Sequence, residues 1–213
     1  MRIENLNVKY GDKVVFSNFN LDVLDGEITC VLGSSGVGKT TLLKHIASVS
    51  KSQNKKVAFV FQEPRLIEHL TVFENLKLIG YSENLIKNAL EKLGLKDKIY
   101  SYPNHLSGGE KQRVNFARAI LFDSDILLLD EPFSSVDVKL KVSLIKLLLE
   151  EKKNKTIVFV THDIDEALMF SNRVILLKNN EISVDLTIET SVNEREYGKS
   201  NREREILLNS ELY

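Results

Sequence analysis

Five short runs of β-branched and aliphatic residues constrain this chain most: ITCVL (28–32), VAFVF (57–61), ILLLD (126–130), TIVFVTH (156–162) and RVILL (173–177). Each is flanked by polar or turn residues and is too compact for a typical helix, so each is expected to be a core strand. Most have a helix-like segment after them, the pattern of a parallel sheet with crossover helices. Two earlier segments, 2–10 and 14–23, alternate in polarity and meet at YGDK, which predicts an antiparallel hairpin. With 213 residues, 43% of them hydrophobic and 28% charged, the chain can bury one substantial core with a lobe inserted in it.

Residues 71–122 break the alternation. TVFENLKLIG opens with Thr71 and Glu74 at capping-box spacing, SENLIKNALEKLG repeats the device from Ser82, and LSGGEKQRVNFARAIL follows. Three helices with no strand between them predict a helical subdomain over about 66–122, inserted in a single domain of residues 1–213. The stretch SVNEREYGKSNRERE (191–205) reads as a solvated helix or tail.

A net charge of −1 offers no broad basic surface, so nucleic acid is not expected as a partner. Cys30, the single cysteine, lies inside ITCVL and reads as a small buried hydrophobe, which suits a reducing compartment. The start MRIENLNVKYG lacks the apolar stretch of a signal peptide, and no run approaches the roughly 18 apolar residues of a membrane span. These features predict a cytoplasmic protein. His45, His69 and His105 have no metal-ligand spacing with one another or with Cys30.

GSSGVGKTT fits G-x-x-x-x-G-K-[ST] and stands where that motif needs to stand, after a strand and before a helix. Gly33, Ser34, Ser35, Gly36, Val37 and Gly38 would turn backbone N–H groups towards phosphate oxygens, and the helix start adds partial positive charge. Lys39 should reach the β- and γ-phosphates of a nucleotide. Thr40 should ligate Mg²⁺ through its hydroxyl, with Thr41 as a neighbouring contact. Asp130 ends the strand ILLLD, where a carboxylate can hold Mg²⁺ directly or through water, and Glu131 is placed to polarise an attacking water. His162 follows the strand TIVFVT at the same edge of the sheet.

LSGGE then presents a pair of glycines at a second helix start. Ser107 and Glu110 have capping-box spacing, but capping leaves Gly108 and Gly109 unexplained. Glycine in a helix costs ~1 kcal/mol relative to alanine, whereas bare backbone there lets a phosphate approach closely. One nucleotide does not need two cradles from one chain.

GSSGVGKTT, the glutamine of FQEP, LSGGEKQR, ILLLDEP, SSVD and THD, in this order, resemble the ATPase subunit of an ABC transporter over nearly the whole chain. The resemblance implies an α/β P-loop NTPase fold: a RecA-like core with a mainly parallel sheet, an N-terminal antiparallel β lobe and an inserted helical signature lobe. It implies ATP and Mg²⁺, and a head-to-tail dimer in which Ser107, Gly108 and Gly109 of one subunit meet the γ-phosphate held by the other. Tyr10 would stack on adenine, Gln62 would touch Mg²⁺ and the attacking water, Asp137 would cross the dimer interface, and His162 would sense the γ-phosphate. VFQEPRLIEHLTVFENL and THDIDEALMFSNRVILL are similar to importers of the nitrate, sulfonate, taurine and thiamine-precursor group. The implied partners are a second ATPase subunit, membrane permease subunits and, through them, an external solute-binding protein, with the chain peripheral on the inner face of the cell membrane. The stretch between Lys39 and Gln62 is shorter than the family's usual connector, so the antiparallel lobe should be trimmed. SSVD also stands where alanine and leucine more often precede the aspartate. An exporter subunit is the nearest alternative; a P-loop kinase has no reason to carry LSGGEKQR, and a chromosome-maintenance ATPase would need a coiled-coil insertion for which there is no room.

Overall fold

Three of the predicted runs fold as strands buried along their whole length, β3 (Ile28–Gly33), β5 (Ile126–Asp130) and β6 (Thr156–Thr161), and β7 (Arg173–Lys178) is buried in all but its end residues. The computed structural model describes residues 1–134, 136–151, 155–189, 195–198 and 202–211. Ser135 of SSVD, and residues 191–194 and 199–201 of the charged carboxyl-terminal stretch, lie outside the described residues.

The chain forms two compact units, the first built from Met1–Val57, Asp125–Glu131 and Asn154–Tyr213, the second from Ala58–Ser124 and Pro132–Lys153. In the first, strands stand in the order β5-β6-β3-β7-β8, where β8 is Glu181–Thr187. β3 pairs in parallel with β6 on one side and β7 on the other, and β5 pairs in parallel with β6. The register sets Asp130 opposite Val160 and Leu32 opposite Thr161, so the carboxyl ends of β3, β5 and β6 meet at one edge of the sheet. Helix α1 (Lys39–Ser52) packs on β3, β5 and β6, burying Leu42, Leu43 and Ile46, and α6 (Ile164–Phe170) packs on β3 and β6.

β8 is a strand that the apolar runs do not predict. It pairs antiparallel with β7 through the turn Asn179–Asn180, both at positive φ (52° and 67°), a conformation asparagine tolerates. At the sheet margin its side chains are mostly exposed, and Asp185 accepts a fork from Arg173 (Nε 2.7 Å, Nη2 2.5 Å). Helix α7 (Arg202–Glu211) packs on α6 and β8 with Leu207 fully buried, so this end of the chain is a docked element and not only a solvated one.

The N-terminal hairpin is present as β1 (Arg2–Tyr10) and β2 (Lys13–Asp22), an antiparallel pair on its own. Only Gln53–Lys56 separates α1 from the next strand, which accounts for a lobe of two strands. The pairing is bulged rather than regular. Asn5 and Asn18 both take φ 52°, and each strand's Asn-Xaa-Asn grips the other: Asn5 N–H donates to Asn20 Oδ1 and Asn18 N–H to Asn7 Oδ1, both at 3.0 Å. The coiled hairpin buries Phe16 and Phe19, ring centroids 4.6 Å apart.

The second unit contains α2 (Val72–Lys77), α3 (Glu83–Lys92), α4 (Gly108–Leu121), α5 (Val138–Glu151) and most of β4 (Val57–Val60). Thr71 and Ser107 complete the expected capping boxes, each accepting from the N–H three residues on at 3.2 Å while that glutamate accepts the cap N–H at 2.8 Å. The box expected at Ser82 is not formed, because the residue three along is Leu85, which has no acceptor. Helices α2, α3 and α4 pack on one another. Along one side of α4, Gln112 donates to Pro132 O (3.0 Å), Asn115 to Phe61 O (3.0 Å) and Arg118 to Arg65 O (2.8 Å).

Leu128, fully buried in β5, tests this core. Leu128→Ala is expected to remove about 2–5 kcal/mol of stability, read as a lowered urea midpoint at unchanged slope; a loss below about 1 kcal/mol would contradict close packing around β5.

Candidate functional site

The loop from Gly33 to Gly38 connects the buried end of β3 to the first turn of α1, and its shape depends on close backbone approaches. At Gly38 φ is 105°, and a Cβ there would lie 2.8 Å from Phe16 Cζ and 2.9 Å from Val15 Cγ1. The coiled hairpin therefore packs directly against the loop. At Gly33 a Cβ would lie 2.7 Å from Leu177 O of β7. Asn180, in the β7–β8 turn, donates to Val37 O at 3.2 Å and supports the loop from a third direction. Val37 is buried, while Ser34, Ser35 and Gly36 are exposed. No side chain caps α1, so its first turn directs backbone N–H groups outward together with the positive end of the helix dipole.

Lys39 is only 6% exposed, and an ammonium held out of water needs partners. It donates to Gly33 O (2.7 Å) and Ser34 O (3.0 Å), and Glu131 Oε1 lies 3.6 Å from its Nζ. Thr40 Oγ1 donates to Asp130 Oδ1 at 3.0 Å, while Thr41 is half-buried in the same turn. Burial raises the Asp130 carboxyl above its ordinary value; the Thr40 hydroxyl pulls it back, Glu131 raises it further, and Lys39 and Lys44 lower it.

Glu131 takes φ 41°, a left-handed conformation uncommon for a residue with a side chain, and its N–H still donates to Val160 O at 3.1 Å. Its carboxylate lies between the Lys39 ammonium and His162, whose Nδ1 is 3.1 Å from Oε2. The edge of the first unit's sheet therefore brings together Lys39, Thr40, Asp130, Glu131 and His162. Tyr10, at the end of β1 in the same unit, is 59% exposed and offers an open ring face.

Gln62, Ser107, Gly108, Gly109 and Asp137 belong to the second unit. Gln62 is exposed in the segment after β4, whose Phe61 and Arg65 carbonyls are held by Asn115 and Arg118 of α4. Ser107 caps α4, Gly108 is exposed with no atom within 4 Å of a Cβ placed on it, and Gly109 is half-exposed. The Ser107 backbone hydrogen bond holds the Glu110 carboxyl below its ordinary value. Asp137 starts α5, its Oδ1 accepting from Leu140 N–H at 3.0 Å.

Asp163 is not singled out by the sequence reading. It caps α6 beside His162, accepting from Asp165 N–H (2.8 Å) and Glu166 N–H (3.2 Å), and D-x-x-E ahead of ALMF was the available local signal. Among the described residues no group of three or more His, Cys, Asp and Glu could hold a metal, and no helix is long and apolar enough to cross a membrane.

Residues 16–134 match the protein-family model for the ABC transporter. The chain is 38% identical over 196 residues to an aliphatic sulfonates import ATP-binding protein (SsuB 1) of Paracoccus denitrificans, covering 86% of this chain and 81% of that one. It is 38% identical over 207 residues to a probable sulfate/thiosulfate import ATP-binding protein (CysA) of Chlorella vulgaris, covering 84% of this chain and 88% of the relative. Among solved structures it resembles a dimeric post-hydrolysis state of an ATP-binding cassette bound to ADP and Pi, with a TM-score of 0.76 and 30% identity over 89% of this chain and 99% of that one.

The raised Asp130 carboxyl makes a signed prediction. The folded chain keeps that proton to higher pH than the unfolded chain does, so stability falls as pH rises above the ordinary value of 3.8. Asp130→Asn removes the loss: in buffer free of divalent cations its melting midpoint at neutral pH should exceed wild type, with the gap narrowing as pH falls towards 3.8. A lower midpoint at neutral pH would show that the carboxylate is a net stabiliser.

Proposed function

The chain belongs to the ABC transporter family of ATP-binding proteins, and from that membership we propose that it binds and hydrolyses ATP to drive an importer for a small solute. The observation that carries the reading is the cluster of Lys39, Thr40, Asp130, Glu131 and His162 at one sheet edge, below a glycine loop and an uncapped helix start. The loop N–H groups from Gly33 to Gly38, with Thr41, surround the phosphates, and Tyr10 stacks on adenine. Lys39 exchanges its loop carbonyls and Glu131 for β- and γ-phosphate oxygens. Glu131, released from the ammonium, accepts the proton of a water that attacks the γ-phosphorus, and the bond to the bridging oxygen breaks to leave ADP. His162 contacts the γ-phosphate from the next strand.

Mg²⁺ fits this donor set. Thr40 Oγ1 and Asp130 Oδ1 are hard oxygen ligands 3.0 Å apart, and the carboxyl is one whose charged form burial opposes. Thr40 and Asp130 would hold the ion, with Gln62 as a further oxygen donor on the family resemblance. When bound, it supplies positive charge against the negative charge of the phosphates.

Ser107, Gly108 and Gly109 complete the site of a second subunit, and Asp137 crosses to that subunit, so two chains close head to tail on two ATP molecules. The helical segment of about 66–122 acts as the lobe that receives the permease. Support comes from apolar side chains exposed on the second unit, among them Ile67, Leu78, Tyr100 and Tyr102, and from the hydrogen bonds tying the Gln62 segment to α4. This assembly places the chain on the inner face of the membrane, with solute choice left to the permease and an external binding protein. The sulfonate and sulfate relatives favour import and an oxyanion solute.

Glu131→Gln should lower ATP turnover by about 10²–10⁴-fold with ATP binding intact; wild-type turnover would remove Glu131 from the role of base. Ser107→Arg should prevent closure while leaving ATP binding to the single chain. In mixed dimers with one such variant, the affected site should be the one whose phosphate loop belongs to the unaltered partner. Loss at the variant's own phosphate loop would exclude the trans arrangement.

A further inference from the structure

Beyond β8, residues 195–198 and 202–211 meet α6 and the turn that carries His162. Tyr197 donates its hydroxyl proton to Asp163 Oδ2 at 2.7 Å, while the other oxygen of that carboxylate caps α6. Arg204, on α7, forks onto Asp165 in the first turn of α6 (Nε 3.0 Å, Nη2 3.2 Å). Arg195 donates to Leu168 O at 2.9 Å and to Ser171 O at the far end of the same helix. One carboxyl-terminal segment thus engages both ends of α6.

His162 needs such support. Its side chain is 61% exposed, so packing does not fix the imidazole, which meets Glu131 at 3.1 Å. Its position follows from the backbone on either side. Asp163 N–H donates to Thr161 Oγ1 at 3.1 Å, and Thr161 Oγ1 donates to Glu166 Oε2 at 2.5 Å. The turn is thereby tied to α6, and α6 is only seven residues long, too short to hold its own direction without tertiary contacts. α7 also reaches the site: Ser210 shares the lining of a cavity of about 360 Å³ with Ser34 and His162.

We propose that Tyr197 and Arg204 are positioning residues for ATP hydrolysis, holding Asp163 and the first turn of α6 so that His162 stays in register with Glu131. The inference rests on the reading of His162 as a participant in hydrolysis. Tyr197 and Arg204 are then braces of the reaction centre, acting through Asp163 and Asp165 and not on the nucleotide.

The test is a double-mutant cycle on the full chain, reading kcat and KM for ATP. Tyr197→Phe, which removes one oxygen, should lower kcat about threefold to tenfold and leave KM within about twofold. Arg204→Gln should follow the same pattern. In a His162→Ala background, Tyr197→Phe should change kcat by less than about twofold, because its effect passes through the absent imidazole. Wild-type kcat in Tyr197→Phe, or a loss that multiplies independently with that of His162→Ala, overturns the proposal. If His162→Ala is slow and Tyr197→Phe is not, the brace alone fails; if His162→Ala keeps wild-type turnover, the role of His162 fails and the brace with it.

Discussion

The parallel pairing of β6 between β5 and β3 is the constraint on which the rest of this structure depends. All six residues of β6 are buried, and a register shift of one residue would turn every side chain to the other face. In the register found, Val160 stands opposite both Asp130 and Val31, so three strand ends finish together. The phosphate loop, the two acidic residues and the histidine come from separate segments that run from Gly33 to His162 in the chain. The sheet register brings them within hydrogen-bond reach before any ligand is considered.

What could be read from sequence was mainly what local geometry decides. The five strands were evident because a compact run of four or five β-branched and aliphatic residues bounded by polar ones has few other uses, and the boxes at Thr71 and Ser107 because cap and acceptor are three residues apart. The phosphate loop carried its own glycines. Ser82 shows the limit of that reasoning, since a helix start is visible there and the reciprocal acceptor is not. The contacts that could not be read join distant residues: Gly38 against Phe16, Asn180 against Val37, Tyr197 against Asp163. Nothing in the neighbourhood of Tyr197 marks it as different from any other tyrosine in a polar stretch. The left-handed turn at Glu131 was equally hidden, because glutamate gives no propensity for it and the surrounding strands impose it.

The electrostatic design of the site runs against stability. Asp130 is held in a buried position that favours its neutral form, and Glu131 beside it adds a second negative charge. A core evolved for stability alone would place apolar side chains there. The two acids stand instead at the edge where the phosphate loop lies, the place that the proposed cation and reacting water would occupy.

The two carbonyls beneath Lys39 have a consequence for affinity. The ammonium is already out of water and its long side chain is already confined, so the entropy and desolvation that a free surface lysine would surrender on binding are settled when the chain folds. On the proposed reading, an arriving triphosphate gains only the difference between its oxygens and those that Gly33, Ser34 and Glu131 already offer the ammonium. Selection in such a pocket falls on ligands whose charge is dense enough to win that exchange, and a weaker anion leaves the lysine where it is.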